Sequence, residues 1–338
     1  MKKVSFIVNK AYQENKIFDK NDPTRLKYYL LKQEFLKYGY ELNTCDYFKT
    51  KRPFINLYMD IPNNFSTTAQ DTKNYVLLIE SPLVMQNNFN KKHHTYFDKI
   101  FTWSDILLTE SEKYNKLHYA FDFPYAIPMD LSLKDKLCVL IISNKSSSDK
   151  NELYSKRKEF IRWFENNHLN DFDLYGRGWN EYIFTGSIYI RVLNKISFIK
   201  KLTTKYFAEY FPSYKGCVDS KYDVMKKYKF SIAYENIKDE TGYITEKIFD
   251  SFFAGCVPIY LGADNITEYI PKNCFIDQRD FKNYDSIYDF MVKMSADDYL
   301  NYLNNIDKFL KSDKAQVFKI EYFAKTIVNE ILLDFNDK

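Results

Sequence analysis

Residues 228–262 read YKFSIAYENIKDETGYITEKIFDSFFAGCVPIYLG, in which an apolar strand signal at 229–234 runs into a polar loop, a helix signal at 246–254 and a second strand signal at 257–261. Alternation of this kind belongs to an open α/β sheet, where ligands bind beyond the carboxyl ends of strands. Thr245 stands where an N-cap belongs, Glu246 and Lys247 fill the first turn, and Gly255 stops the helix before the next strand. The first turn therefore faces the sheet crevice. Free backbone N–H groups and the positive helix end make it an anion site. Lys247 adds a full charge suited to a pyrophosphate, and Glu246 can accept from ribose hydroxyls. The same spacing also suits ordinary exposed first-turn charges, so it leaves both uses open.

The rest of the chain repeats the alternation. Val4–Val8 reads as a strand, and Asp22-Pro23 predicts an N-cap and first helical residue for a run that stops at Gly39. Short aromatic or β-branched runs at 54–59, 75–79 and 100–103 complete a first α/β unit. Pro124 and Pro128 lead into a new apolar strand at 137–142, followed by a helix at 151–166 and a strand at 172–175. The expected organisation is an α/β chain of two domains, residues 1–130 and 131–315, closed by an amphipathic helix at 316–338 with apolar residues at helical spacing. Residues 180–215, aromatic and basic, read as an irregular insertion.

Composition narrows the partners. Lys and Arg total 49 against 45 Asp and Glu, a formal +4 too thinly spread for a nucleic-acid binder. The five cysteines are scattered, with no CxxC pair, which fits a reduced, cytoplasmic setting. Asn9 and Lys10 cut the first apolar stretch short of a signal-peptide core. Neither GxGxxG nor a P-loop is present, so side-chain cations must do more of the work of holding a phosphate. Arg157, at the front of the 151–166 helix, is one such cation. The loop Tyr175-Gly176-Arg177-Gly178-Trp179 allows backbone close to a ligand, and equally a plain turn. Asp171-Phe172-Asp173 resembles a metal-binding DxD over three residues only, and is read as chance.

Four linked motifs, YKFSIAYEN, GYITEK, AGCVPIYLG and IPKNCFID, stand in order between residues 228 and 277, with the Gly176-Arg177-Gly178 turn and Glu80-Ser81-Pro82 upstream. Together they resemble family 10 of the glycosyltransferases, the α-1,3/4-fucosyltransferases. The resemblance implies a GT-B architecture of two Rossmann-like domains facing a cleft, an acceptor-binding first domain and a second domain that binds GDP-fucose. It implies donor contacts at Asn236, Tyr243, Glu246 and Lys247, with Arg157 as the phosphate-binding arginine and Glu80 as general base. It also implies inversion at the fucose anomeric carbon, with no required metal and a divalent ion at most stimulatory. The expected partners are GDP-fucose and an oligosaccharide containing N-acetylglucosamine or glucose, with no nucleic acid. Separately from the resemblance, the aromatic and basic 180–215 stretch is expected to touch either the acceptor or the cytoplasmic face of a membrane, as a peripheral contact. Tyr234 departs from the family's usual Phe, and Trp103-Ser104-Asp105 matches its Tyr-Arg-x-Asp-Ser-Asp element only in part. The alternatives are a GT-B transferase using another nucleotide sugar, and a carbohydrate-binding protein without catalysis.

Overall fold

The computed structural model describes residues 1–48, 53–63, 65, 72–182, 184 and 187–336. Its first sheet contains β1 (Lys2–Ile7), β2 (Tyr40–Thr44), β3 (Ile55–Met59), β4 (Lys73–Leu78), β5 (Lys99–Thr102) and β6 (Tyr114–Lys116), in the order β2-β1-β3-β4-β5-β6. Every pairing is parallel. Val4, Phe6, Ile55, Leu57, Tyr75, Val76 and Leu77 are wholly buried. That explains the continuous apolar runs, because a parallel sheet is covered on both faces.

The second sheet contains β7 (Lys136–Ile141), β8 (Phe172–Tyr175), β9 (Tyr228–Tyr234), β10 (Val257–Leu261) and β11 (Ile276–Asp277), in the order β11-β10-β9-β7-β8, again all parallel. β7 is flanked by β8 on one side and β9 on the other. Connections therefore depart in opposite directions at this point, and a crevice opens beyond the carboxyl ends of β7 and β9.

Two sequence expectations need correction, and two edge strands went unpredicted. The first long helix is Leu26–Lys37, not a helix starting at Pro23. The Asp22 carboxylate accepts from the Thr24 amide at 2.9 Å and its hydroxyl at 2.7 Å, so it closes a turn ahead of the helix. The edge strands β2 and β6 carry no apolar run. Asn43 and Thr44 of β2 are buried polar residues, and Thr44 is held by Asn15, whose side chain accepts from its amide at 2.9 Å. The 180–215 stretch is not irregular throughout, since Ile188–Arg191 and Ser197–Phe207 are helices, while residues 183, 185 and 186 lie outside the described residues.

The closing helix, Ile320–Asn336, returns to the first sheet. Phe323, Ile327, Val328 and Ile331 are buried in the same core as Val4, Leu31 and Leu57. The return is pinned where Phe121 and residues 318–320 exchange backbone hydrogen bonds, at 2.8 and 3.2 Å. Lys99 then ion-pairs with Glu330 and Asp334. Among the described residues no helix is long and apolar enough to cross a membrane.

Candidate active site

A cavity of about 400 Å³ lies between the two sheets, at the crevice beyond β7 and β9. Glu80, Arg157, Asn236, Tyr243, Glu246 and Lys247 all line it. Ile141, Ile142 and Ser143 line the β7 side. Glu80 comes from the first domain, two residues beyond β4, and the other five come from the second.

The cationic centre is built around Glu235, which follows β9 and is fully buried. Its carboxylate accepts from the Thr245 amide at 2.8 Å and from the Thr245 hydroxyl at 2.6 Å. Thr245 therefore does not cap the helix Glu246–Phe253 with its side chain, as its position suggested. The hydroxyl is committed ten residues upstream, so Thr245 offers no side-chain cap to the first-turn amides. Lys247, whose side chain is only 11% exposed, stands 3.2 Å from Glu235 and 3.3 Å from Glu246. Burial alone would lower the Lys247 pKa, but the two carboxylates outweigh it and hold the ammonium charged above its ordinary value. For Glu246 burial works upward, and Lys247 and Lys221 outweigh it, leaving the carboxyl at about 2. Glu246 is thus an anion that accepts hydrogen bonds, with 43% of its side chain exposed.

Arg157 is almost wholly buried, and one terminal nitrogen donates to the carbonyls of Tyr234 and Glu235 at 2.7 and 2.6 Å and to Asn236 Oδ1 at 3.1 Å. Its Nε–H has no partner among the described residues. A buried, unpaired donor of a charged group costs on the order of 1–3 kcal/mol, so an acceptor in the cavity would relieve it. Arg157 is therefore already fixed by strand-end carbonyls while keeping donor capacity to spare.

Across the gap, the Glu80 backbone is held rigidly. Asp60 Oδ1 accepts from the amides of Ile79 and Glu80 at 2.7 and 3.0 Å and from Asn88 Nδ2 at 2.7 Å. The Ile79 carbonyl accepts from Trp103 Nε1–H at 3.1 Å and from the Tyr119 hydroxyl at 2.5 Å. Burial raises the Glu80 pKa, Asp60 and Glu246 raise it further, and Lys145 and Lys247 pull only part of it back. The carboxyl is thus moved toward the range where a base can both take and release a proton.

Trp103-Ser104-Asp105, the element that departs from the family pattern, joins the domains. The Trp103 and Tyr243 rings lie 4.7 Å apart, and Asp105 accepts from the Tyr269 hydroxyl at 2.6 Å and Asn265 Nδ2 at 2.8 Å. Lys116 neutralises Asp105 at 2.5 Å. Gly242 passes this junction at φ +80°, where a Cβ would come within 2.3 Å of the Trp103 carbonyl oxygen. Only glycine fits, and the adjacent Tyr243 is thereby set at the domain boundary.

Other expectations resolve as follows. Gly176 and Arg177 line the cavity, but Gly176 is dictated by Ile142, whose carbonyl oxygen a Cβ would meet at 2.0 Å. Asp173 binds Lys136 and the Tyr228 hydroxyl, both at 2.6 Å, and Asp171 accepts from Tyr288 at 2.6 Å, so both aspartates have protein partners. Among the described residues no group of three or more His, Cys, Asp or Glu is arranged to hold a metal ion. Sequence reasoning missed Glu235 and Lys145, and of the Arg177 loop it considered the backbone but not the Arg177 side chain; Lys145 and Arg177 both line the cavity. The last two follow the carboxyl ends of β7 and β8, a signal that strand-end reasoning supplies. Lys27, on the first turn of Leu26–Lys37, was missed as well. Burial lowers it to about 8, while Glu246 and Glu80 act in the opposite sense.

Residues 131–324 match the model of glycosyltransferase family 10 (fucosyltransferase), C-terminal part. The α-(1,3)-fucosyltransferase FucT of Helicobacter pylori is 32% identical over 119 residues, 33% of this chain and 25% of that protein. An α-(1,4)-fucosyltransferase of Arabidopsis thaliana is 37% identical over 73 residues, 22% of this chain and 18% of that protein. The matched part thus spans a quarter or less of the length of these two relatives. A crystal structure of an α1,3-fucosyltransferase with GDP superposes with a TM-score of 0.60 at 18% identity, covering 99% of this chain and 91% of that one, which shows the GT-B fold. With the family match covering more than half of its residues, the chain belongs to glycosyltransferase family 10, the fucosyltransferases.

Proposed function

We propose that the protein is an inverting fucosyltransferase that moves L-fucose from GDP-fucose to a hydroxyl of an N-acetylglucosamine- or glucose-containing glycan, forming an α-1,3 or α-1,4 linkage. The observation that carries this reading is one cavity walled on one side by a buried cationic centre, Arg157 and Lys247, and on the other by a single raised-pKa carboxylate, Glu80. In the reaction, the acceptor O–H gives its proton to Glu80 as the oxygen attacks fucose C1 from the face opposite GDP. The new C1–O bond forms as the bond from C1 to the β-phosphate oxygen breaks, and GDP leaves with that electron pair. One displacement inverts the centre.

Charge grows on the departing β-phosphate, and in this reading Arg157 and Lys247, which line the cavity, stabilise it together with the amides that open the Glu246 helix. These cations perform the role that a metal has in other transferases, so a divalent ion is at most stimulatory. Asn236 and Tyr243 complete the donor side, and Glu246 suits the ribose hydroxyls.

The test is transfer from a panel of GDP- and UDP-sugars to small glycans, with products identified by mass spectrometry. GDP-fucose is expected to be the donor, and preference for a UDP-sugar would refute the donor assignment. Glu80→Gln is expected to lose about 10²–10⁴-fold in kcat while GDP affinity stays unchanged. Near-normal turnover in that variant would remove Glu80 as the base.

A further inference from the structure

The chain from Ser187 to Tyr210 departs from the second domain and returns to it between two stretches that line the cavity, at Arg177 and at Cys217. It is rooted by Trp179, whose Nε1–H donates to the Ile142 carbonyl at 2.7 Å and whose ring meets Phe211 edge-on at 5.0 Å. Beyond this root the helix Ser197–Phe207 buries none of its residues. Phe198 is 75% exposed, Leu202 47% and Tyr206 65%. Spaced four apart, they form one stripe on the helix, with Lys201 and Lys205 along its edge. Tyr189, Val192 and Ile196, all exposed, continue the apolar surface ahead of the helix. An amphipathic helix ordinarily turns such a stripe to the core, whereas this one is turned to solvent. Contiguous exposed apolar surface of this kind marks a place of interaction.

Charge identifies the partner. Residues 187–210 hold Arg191, Lys195, Lys200, Lys201 and Lys205 against Glu209 alone, a net +4 equal to the formal +4 of the whole chain, so the remaining residues sum to zero. Lys200 pairs with Glu181 at 2.8 Å, while Lys195, Lys201 and Lys205 have no ion pair among the described residues. A second copy of the chain would set this positive surface against itself. A nucleic acid would use the lysines and leave Leu202, Val192 and Ile196 in water.

We propose that this face is a docking surface for an anionic phospholipid bilayer. Phe198, Leu202 and Tyr206 enter the boundary between headgroups and acyl chains, and Lys195, Lys201 and Lys205 meet lipid phosphates. Because the insertion is rooted between cavity-lining residues, docking brings the cavity close to the lipid surface. This inference goes beyond the donor reading and stands without it.

The test is co-sedimentation of the full chain with vesicles of phosphatidylcholine alone and of phosphatidylcholine mixed with phosphatidylglycerol. Binding is expected to the mixed vesicles, weakening as salt rises. Replacing Lys195, Lys201 and Lys205 together by Gln should weaken it roughly 100-fold, at roughly five-fold per cation. Phe198→Ser with Tyr206→Ser should weaken it as well, while the melting temperature stays within the wild-type range. Binding that ignores lipid charge, or that survives both variants, would overturn the proposal. So would a wild-type dimer in sedimentation velocity that Phe198→Ser dissociates, since that would make the patch a contact between copies.

Discussion

Replacing Lys247 by Met should separate the structural task of its ammonium from its proposed task in donor binding. The first is structural. Glu235 is fully buried and 3.2 Å from Lys247, so the variant strands a carboxylate whose counter-charge has gone. Removing one partner of a buried pair costs about 3–5 kcal/mol. Glu235 keeps the two Thr245 hydrogen bonds at 2.8 and 2.6 Å, which places the loss near the lower end, about 3 kcal/mol. The second task is donor binding, where losing a charged hydrogen bond should cost about 1.5–3 kcal/mol, or roughly 10- to 150-fold in GDP affinity. Burial already raises the Glu235 pKa and Lys247 opposes it, so without Lys247 the folded-state pKa rises further above the unfolded value. A group raised in this way favours the fold below its unfolded pKa and loses that contribution as pH climbs through the folded value. The deficit of Lys247→Met should therefore shrink in acid and grow toward neutral pH. Adding Glu235→Gln removes the stranded charge, so the double variant should regain most of the stability and none of the GDP affinity. Urea denaturation across pH and calorimetry with GDP read the two effects separately. A double variant as unstable as the single one, or full GDP affinity in Lys247→Met, would refute the reasoning.

The acid limb of the kcat/KM profile should lie above the ordinary glutamate range, because Glu80, the proposed base, would have to be deprotonated to act and its pKa is raised by burial, Asp60 and Glu246. A limb at or below that range would contradict the assignment. Gly242→Ala should destabilise by at least about 2 kcal/mol, since its Cβ would meet the Trp103 carbonyl at 2.3 Å in a left-handed conformation. It should also weaken GDP binding by moving Tyr243, and a wild-type melting temperature would show that the junction yields freely.

The parts of the fold that could be read from sequence were those in which one residue type serves one purpose. Runs such as Val257–Leu261 are apolar because both sheet faces are covered, and their alternation with helices gave the parallel architecture. β2 and β6 escaped because edge strands satisfy their polar residues through side chains elsewhere, as Asn15 does for Thr44. The helix start moved to Leu26 because Asp22 spends its carboxylate on Thr24, a local choice that the Asp-Pro signal does not reveal. In the site, the first turn at Glu246-Lys247 stood out through its helix-end position. The hydroxyl of Thr245 looked like a cap, yet its acceptor is Glu235, which reads in sequence as a common strand-end carboxylate. Its role rests on complete burial beside Lys247, a property of the tertiary structure alone.

A crystal structure of the chain with GDP is the most direct measurement of the central claim. The β-phosphate is expected within hydrogen-bond distance of Lys247, Arg157 and the amides that open the Glu246–Phe253 helix, with the Glu80 carboxylate facing it across the cavity. A nucleotide bound elsewhere, or Glu80 turned away into bulk water, would contradict it.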